Sequence, residues 1–364
     1  MTGSVQDLWM SGPKGNKTET NRYGVGARWR VRYVGDDGRE RSKTFRRKVD
    51  ADKWLNDQVA RLNRGDWVDP AAGKARFREV AEVWLARPDI RQSTRERDRS
   101  YLDSMVLPRL GVLPVGRIAP DDIDTLVRDL ADEGKASATI RKAAQITGAV
   151  LEDAVRRELI PRSPARGVRL PAVEQEEMVF LGVSDLMRLC DQLGAWRGVG
   201  LLGAFGGLRF GEVAGLRPDD IDIDGKTVSI KRTASDLLDG VKVGPPKTKT
   251  AMRTVALPQF VIDELEGRTG RYLYTDSVGG PLARRNWTRR VWKPALVSAN
   301  LPDLRFHDLR HSHVAMLISM DENPKTIAAR LGHKSVRTVL DVYGHLYADA
   351  DRSVATELEK LVGV

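Results

Sequence analysis

The chain reads His307-Asp308-Leu309-Arg310-His311-Ser312-His313 near its C-terminus, followed by Leu331-Gly332-His333 and by Asp341-Val342-Tyr343-Gly344-His345. These stretches contain all five histidines of the 364-residue protein. Imidazoles confined to so short a segment predict a site. Cationic donors beside a phenol are suited to chemistry on a phosphodiester.

The composition indicates a globular intracellular protein with a polyanionic partner. Its length favours two or three domains, and a hydrophobic content of 41% argues against wholesale disorder. The single cysteine, Cys190, excludes an internal disulfide, and the sequence shows neither a secretory signal nor an apolar run long enough to span a membrane. We therefore expect a cytoplasmic protein. The net charge of +10 favours a nucleic-acid partner.

A second concentration of charge lies between residues 22 and 48. The basic residues there are Arg22, Arg28, Arg30, Arg32, Arg39, Arg41, Lys43, Arg46, Arg47 and Lys48, and the acidic ones are Asp36, Asp37 and Glu40. Arginines without interleaved acids favour contact with nucleic acid, although a solvated strand face is the alternative interpretation. The expected DNA-contacting residues are Arg28, Arg30, Arg32, Arg39, Arg41 and Lys43.

This basic segment has the pattern of a small sheet covered by a helix. Residues 27–33 alternate aromatic or Val side chains with arginine, residues 35–38 give a turn signal, and residues 42–45 are extended again. Asp50 is a candidate N-cap for a helix whose apolar residues would cover the sheet. The prediction is a β-sheet-plus-helix module with a basic outer face, preceded by a mobile leader over residues 1–20.

The predicted fold is a multidomain, mainly α-helical protein. Its domains are the basic module at 1–66, a four-helix domain at 75–170, and a mixed, mainly helical domain with a small β-sheet at 178–364. A linker at 66–74 and a Pro- and Arg-rich connector at 161–171 separate them. The second helix of the four-helix domain is expected to end before Pro108. In the last domain, strands are expected at 226–231 and 253–257.

Three basic residues occupy positions suited to binding a phosphate. Arg209 follows a glycine-containing turn and precedes a helix, whose N-terminus favours an anion. A guanidinium can donate to two non-bridging phosphate oxygens at once. Arg310 lies one helical turn after His307, so both can address the same phosphate. A lone helical histidine is, however, more often structural.

His333 and Tyr343 complete the candidate site. His333 follows Gly332 at a predicted helix end, and Asn323 is the expected start of that helix. Tyr343 lies on a short helix whose apolar face is expected to include Leu340, so core packing is the alternative to a catalytic role. The neighbouring arginines and histidines favour a nucleophile, because a phenol alone is a poor one near neutral pH.

Two further patterns carry little weight. Residues 198–203 match GxGxxG, but they follow a polar and aromatic segment rather than a strand, which argues against a dinucleotide site. His311 has zinc-ligand spacing with His307 and with His313. The glutamate of an HExxH motif is nevertheless absent, and Cys190 is distant in the sequence. We therefore expect neither a metal nor a cofactor.

The ordered set of motifs resembles the tyrosine recombinases, specifically the integrases of temperate phages and integrative elements of actinobacterial type. Residues 207–212 (Gly-Leu-Arg-Phe-Gly-Glu) look like the first arginine box of that family, and residues 247–253 (Lys-Thr-Lys-Thr-Ala-Met-Arg) look like its KTxxSxR β-hairpin. Residues 307–311 are similar to the HxxR box, and residues 331–333 followed by Tyr343 to the last box. The resemblance covers most of the chain. It implies that the basic module is an arm-type DNA-binding domain and the four-helix segment a core-binding domain.

The sequence departs from the family pattern in and just after the hairpin motif. Ala251 replaces the usual serine, and Ala256 stands where proline is commoner. Lys247 has the family spacing to Arg253 and is the expected catalytic lysine. Lys249 is a rival, because residues two apart point the same way on an extended chain.

The resemblance implies transesterification without metal or ATP. The implied catalytic residues are Arg209, Lys247, His307, Arg310, His333 and Tyr343. The tyrosine would attack the scissile phosphate, giving a 3′-phosphotyrosyl bond and a free 5′-hydroxyl. The two arginines would neutralise the charge that develops on the phosphate oxygens.

The resemblance also implies roles for the remaining groups. Lys247 would be the general acid that protonates the departing 5′-oxygen, and His307 a base or a phosphate donor. His333 would donate a hydrogen bond to the phosphate, and Glu212 would orient the Arg209 region. His311, His313 and His345 are then expected to be structural or flanking.

An integrase of this kind would act on double-stranded DNA attachment sites as a homotetramer. An excision factor and a host DNA-bending protein are further possible partners. Two alternatives stay open: a housekeeping resolvase or topoisomerase-like enzyme with the same chemistry, and a non-catalytic DNA-binding regulator. The basic N-terminal module argues against the housekeeping enzyme, and the intact set of catalytic residue types argues against the regulator.

Overall fold

The computed structural model describes residues 3–13, 15–64, 67–69, 72–173, 178–347 and 358–360. The chain separates into two compact units, Met1–Glu174 and Gln175–Val364. None of the helices in the described ranges is long and apolar enough to cross a membrane.

The first unit begins with a small sheet covered by a helix. The elements are β1 (Ser4–Asp7), β2 (Met10–Ser11), β3 (Thr18–Glu19), β4 (Trp29–Val34), β5 (Glu40–Phe45) and α1 (Lys48–Arg64). Strands β1, β4 and β5 form an antiparallel sheet in the order β1-β4-β5. Val31 and Tyr33 are buried on the face under α1, where the Tyr33 ring meets Trp54 edge-on at 5.4 Å. The predicted strand, turn, strand and helix are confirmed.

Two local expectations for this module are wrong. Residues 4–7, which were expected to belong to a mobile leader, pair with β4 from Ser4 opposite Arg32 to Asp7 opposite Trp29. The helix begins at Lys48, so Asp50 is not its N-cap. It lies in the first turn instead, where a carboxylate interacts favourably with the helix dipole.

The basic residues of the sheet do not share one outer face. Cross-strand partners point to the same side, and β5 pairs Arg41 with Tyr33 and Lys43 with Val31. Both basic side chains therefore lie on the face covered by α1, whereas the two arginines of β4 point away from it. The expectation of a single basic face is wrong for these two residues, because the hairpin register could not be derived from alternation within one strand.

A helical domain completes the first unit. Its helices are α2 (Phe77–Leu85), α3 (Gln92–Tyr101), α4 (Leu107–Leu110), α5 (Pro120–Asp132) and α6 (Ser137–Arg156), with a π-helical turn, Leu102–Val106, joining α3 to α4. Their buried faces form one apolar core. The predicted end before Pro108 is wrong, since the helical path continues to Leu110. The π turn, in which the Leu107 N–H donates to the carbonyl of Leu102, makes room for the proline just after it.

The second unit is mainly helical and contains a small sheet. Its helices are α7 (Val183–Gln192), α8 (Arg197–Ala204), α9 (Phe210–Ala214), α10 (Gln259–Leu265), α11 (Arg284–Trp287), α12 (Lys293–Ser298), α13 (Phe306–Ser319), α14 (Pro324–Leu331) and α15 (Arg337–Tyr343). Its strands are β6 (Ile221–Asp222), β7 (Thr227–Ile230), β8 (Thr233–Leu237), β9 (Gly240–Gly244) and β10 (Arg253–Ala256). Antiparallel pairing gives the order β10-β7-β6, and β8 and β9 form a separate hairpin. The two predicted strands are confirmed; the hairpin was not predicted.

Helix α8 brings α13 close to the centre of this unit. The GxGxxG match, residues 198–203, lies inside α8 and is buried there. A Cβ added at Gly203 would lie 2.8 Å from Phe306 Cζ and 2.9 Å from Leu309 Cδ1. The glycines therefore serve close helix packing, which fixes α13 and the basic residues it carries.

Candidate active site

A buried arginine on α13 lies at the centre of the site. Arg310 is 2% exposed, and its guanidinium donates to the carbonyls of Gly207 and Leu331, each at 2.5 Å. Its Nη2 also lies 3.1 Å from His333 Nε2. Within the described ranges no carboxylate forms an ion pair with Arg310, and its hydrogen-bond partners there are these two carbonyls and the His333 ring.

Two left-handed glycines present those carbonyls. Gly207 has φ +65°, and a Cβ there would lie 2.7 Å from His313 Cδ2. Gly332, with φ +66°, ends α14, so the Leu331 carbonyl is left without a helical partner and accepts from Arg310 instead. The predicted helix start is confirmed as well, because the Asn323 side chain accepts from the Lys325 N–H at 2.8 Å.

One buried carboxylate holds two further arginines. Glu212 Oε2 accepts from the Arg209 backbone N–H, and Oε1 accepts from Arg209 Nη1, both at 2.9 Å. Arg253 donates to the same two oxygens at 3.0 Å each. Burial acts to raise the pKa of Glu212, but the hydrogen bonds and charge of Arg253, together with Arg209, outweigh it and lower that pKa. The carboxylate is therefore ionised at neutral pH.

The arginine cluster, defined as Arg209, Arg253 and Arg310, carries an excess of positive charge. Glu212 pairs with Arg209 and Arg253 but not with Arg310, so the three guanidiniums and this one carboxylate leave two positive charges uncompensated. Burial, followed by repulsion from Arg209, lowers the pKa of Arg310 to about 9. Such an arrangement favours an anion with several oxygens, because each guanidinium can donate to two of them.

The histidines beside the cluster are uncharged at neutral pH. Burial, together with the neighbouring cations, lowers the pKa of His307 to about 4 and that of His333 to about 4. Neutral imidazoles can each donate one hydrogen bond and accept another. They therefore add hydrogen-bonding capacity without adding charge.

Tyr343 lies at the end of α15 with its ring in a small apolar core. The residue is 4% exposed and shares this core with Val339. Leu340, expected on the same face, is 48% exposed, because the helix turns it outward. The phenol lies 2.6 Å from His311 Nδ1. Burial raises the pKa of Tyr343 to about 12, although the Arg310 charge opposes this rise.

The predicted site residues fall into two groups. Arg209 and Arg310 belong to the arginine cluster, and His333 contacts Arg310. His307 lies on α13 one turn before Arg310. Lys247 instead lies on the exposed segment between β9 and β10, outside the buried cluster. The side chain of its rival Lys249 lies outside the described part of the structure.

The site contains two residues that were not among the predicted catalytic set. Arg253 was recognised only as the last residue of the hairpin motif, and its link to Glu212 joins positions 41 apart. His311 was expected to be structural or flanking, yet it contacts the Tyr343 phenol across 32 residues. Its spacing from His307 was visible in the sequence, but its contact with Tyr343 depends on how α13 and α15 pack.

The other two histidines have structural environments. His313 Nδ1 lies 2.9 Å from the Ala204 carbonyl, and its Nε2 accepts from Arg330 Nε at 3.0 Å. The His345 ring lies 6.5 Å from that of Phe180. No group of three or more His, Cys, Asp or Glu side chains in the described ranges is arranged to hold a metal ion.

These features define a class of site. An excess of guanidinium charge gathers beside a buried phenol and neutral imidazoles, which suits phosphoryl transfer through a tyrosine nucleophile. The protein-family models agree. Residues 25–64 match the phage integrase N-terminal domain, residues 77–170 the phage integrase central domain, and residues 185–349 the phage integrase family.

The chain belongs to the phage integrase family of tyrosine recombinases and is a site-specific DNA recombinase. It is 29% identical over 363 residues to the putative prophage phiRv2 integrase of Mycobacterium tuberculosis, covering 92% of this chain and 93% of the relative. It is also 27% identical over 341 residues to the integrase of Mycobacterium phage L5, covering 88% of this chain and 90% of that protein. The expected family is confirmed.

Solved structures show the same fold. The Tn1549 transposon integrase in complex with circular intermediate DNA aligns with a TM-score of 0.67 at 19% identity, covering 78% of this chain and 99% of that chain. A lambda integrase dimer bound to a core site aligns with a TM-score of 0.56 at 16% identity, covering 84% and 89%. The expected multidomain, mainly α-helical fold is confirmed.

Proposed function

We propose that this recombinase integrates a mobile DNA element of phage or integrative-element type into a bacterial chromosome. The match to phage and prophage integrases along almost their whole length supports this proposal. The observation that carries the chemistry is the arginine cluster, with its excess of positive charge, in the same domain as a buried tyrosine that contacts His311.

The buried charge of Arg310 supports a phosphate as the ligand. Removing a guanidinium from water costs several kcal/mol unless a counter-charge offsets this desolvation penalty. The carbonyl dipoles of Gly207 and Leu331 offset part of it for Arg310. The scissile phosphate would supply the missing negative charge, and more of it as the pentacoordinate transition state forms.

The proposed reaction is a pair of transesterifications. The bond from Tyr343 Oη to phosphorus forms while the bond from phosphorus to the 5′-oxygen breaks, and the 5′-oxygen receives a proton from Lys247. A 5′-hydroxyl of the partner strand then attacks the phosphotyrosine and releases the phenol. Arg209, Arg310 and His333 would hold the phosphate oxygens, with His307 as a further phosphate donor or base.

The proposed assembly is a homotetramer on two double-stranded attachment sites, acting on chromosomal DNA in the cytoplasm. The solved relatives support it, since lambda integrase has been captured as a dimer on a core site and as a tetramer on a Holliday junction. An excision factor and a host DNA-bending protein are proposed as further partners. In this proposal the domains 1–66, 75–170 and 178–364 serve as arm-binding, core-binding and catalytic domains.

The two alternative functions have less support. A housekeeping resolvase would not require the N-terminal module, whereas residues 25–64 match the phage integrase N-terminal domain. A non-catalytic regulator would not require a nucleophile beside an anion site.

Covalent capture on DNA tests the proposal. A nicked half-site taken from the repeats that flank the element should trap the enzyme on its 3′-phosphate, and a plasmid carrying both attachment sites should recombine. Failure to trap on any such half-site would favour the regulator. Trapping with plasmid relaxation but no recombination would favour a topoisomerase-like enzyme.

A further inference from the structure

The phenol of Tyr343 has a hydrogen-bond partner outside the six proposed catalytic residues. His311 Nδ1 lies 2.6 Å from Tyr343 Oη, and the two ring centroids are 5.7 Å apart. The contact joins α13, which carries the phosphate-binding Arg310, to α15, which carries the nucleophile. One side chain therefore links the two halves of the site.

The other two imidazoles of the site face different partners. His333 directs Nε2 towards Arg310, at 3.1 Å from its Nη2. The His307 ring stands edge-on to the His311 ring, with centroids 4.9 Å apart and planes at 88°. His307 thus packs against His311. The imidazole in hydrogen-bond contact with the nucleophilic oxygen is His311.

The protonation states of the pair fit a transfer from oxygen to nitrogen. Burial raises the pKa of Tyr343 to about 12, so only about one phenol in a hundred thousand is ionised at pH 7. Burial lowers the pKa of His311; Asp308 opposes this effect, and Arg305 and Arg310 add to it. A neutral imidazole that carries its proton on Nε2 has a lone pair on Nδ1, which can accept from the phenol.

We infer that His311 Nδ1 takes the proton of Tyr343 Oη while that oxygen attacks the scissile phosphate. The inference deepens the proposed function and rests on it. The oxygen–phosphorus bond forms, the phenolic proton moves to Nδ1, and the bond to the 5′-oxygen breaks, with that oxygen protonated by the general acid. In the rejoining step the imidazolium returns its proton to Tyr343 as the 5′-hydroxyl displaces the phenol.

Two substitutions separate proton transfer from positioning. His311→Asn keeps an oxygen acceptor close to the position of Nδ1 but cannot hold a proton, and His311→Ala removes both functions. Both should lower the single-turnover rate of cleavage by about 10²- to 10⁴-fold, the usual contribution of a general base. DNA affinity should stay within a few-fold of the wild type. His345→Ala is the matched control, because its ring lies beside that of Phe180 and no hydrogen bond joins it to Tyr343 in the described part of the chain.

A modified substrate distinguishes a base for the nucleophile from an acid for the leaving group. A 5′-bridging phosphorothiolate releases a thiolate that needs no proton, so a variant that lacks the general acid recovers on it. The His311 variants should remain slow on this substrate. Replacing Tyr343 by a fluorinated tyrosine, whose phenol has a lower pKa, should reduce the difference in cleavage rate between His311→Ala and the enzyme with His311 intact.

Two results would overturn the inference. One is cleavage by His311→Asn or His311→Ala at nearly the wild-type rate, and the other is full recovery of these variants on the phosphorothiolate. The proposed function is tested separately by Tyr343→Phe. If that variant is inactive and the His311 variants are normal, only the role of His311 is wrong; a covalent adduct formed by Tyr343→Phe would contradict the proposed function itself.

Discussion

Replacing Arg310 by methionine should abolish the chemistry without destabilising the DNA-free protein. This prediction is unusual, because truncating one partner of a buried ion pair normally costs about 3–5 kcal/mol. Arg310 is 2% exposed but forms no ion pair in the described part of the chain. Its charge is therefore a cost to the folded state until a phosphate binds.

The structure gives the size of this effect. Burial, together with repulsion from Arg209, lowers the pKa of Arg310 from 12.5 to about 9. At about 1.4 kcal/mol for each tenfold change in acidity, holding the charge costs about 5 kcal/mol. Because the pKa of Arg310 is lower in the folded protein than in the unfolded chain, the cost of keeping its guanidinium charged is fully present at neutral pH. This cost declines only above about pH 9, where the folded protein begins to release the proton. Methionine would remove it and leave the carbonyls of Gly207 and Leu331 without a donor, at about 1–2 kcal/mol each.

The net expectation for Arg310→Met is an unfolding free energy that is unchanged or higher by up to about 3 kcal/mol. Urea denaturation of both proteins in phosphate-free buffer measures the difference. Added inorganic phosphate should stabilise the wild type by mass action and leave the variant unchanged. Two results would show that Arg310 is not an uncompensated charge in the DNA-free protein. One is a fall of more than about 2 kcal/mol in the free energy of unfolding on substitution, and the other is equal stabilisation of wild type and variant by phosphate.

Three further predictions concern the support of the site and the DNA-binding module. Glu212→Gln should lower the free energy of unfolding by about 3–5 kcal/mol, measured by urea denaturation, because it leaves Arg253 buried without a counter-charge. Since the folded pKa of Glu212 is lowered, the wild type should lose the stabilisation that this ion pair provides as pH falls below about 4.5. Gly332→Ala should lower the free energy of unfolding by about 1–2 kcal/mol, measured by thermal denaturation, and should also slow cleavage. The reason is that the backbone is left-handed there and a Cβ would lie 3.0 Å from the Thr250 carbonyl oxygen. A variant as stable and as active as the wild type would contradict this prediction. Arg30→Gln should reduce the salt dependence of binding to arm-site DNA by about one phosphate contact, as measured by fluorescence anisotropy across a salt series, and an unchanged slope would remove this residue from the interface.

Local patterns predicted much of the fold. Alternation over residues 27–33 located a strand, the Asn323 cap located the start of α14, and Gly332 located its end. These features depend on residues close in sequence, whose backbone preferences and hydrogen bonds are local. The expectations that failed depend on pairing between segments. The register of β5 moved Lys43 to the face under α1, and the pairing of β1 ordered residues that carry no periodic pattern of their own.

The same distinction applies to the site. Arg209 and Arg310 were predictable because each lies within a short motif with its own helical context. The shared carboxylate of Glu212 and Arg253 and the contact of His311 with Tyr343 join residues 41 and 32 positions apart. Spacing within a motif cannot supply such contacts, because they follow from the way separate helices and strands pack.

In the proposed reaction, Tyr343 becomes covalently joined to a DNA 3′-phosphate. The wild-type enzyme trapped on a nicked half-site can be digested with trypsin, and the adduct located by tandem mass spectrometry. The tryptic peptide spanning residues 338–352 contains both Tyr343 and Tyr347, so fragment ions distinguish the two phenols. We expect the nucleotide on Tyr343, with the adduct retained in Tyr347→Phe and lost in Tyr343→Phe. An adduct on Tyr347, or one that persists in Tyr343→Phe, would show that Tyr343 is not the nucleophile.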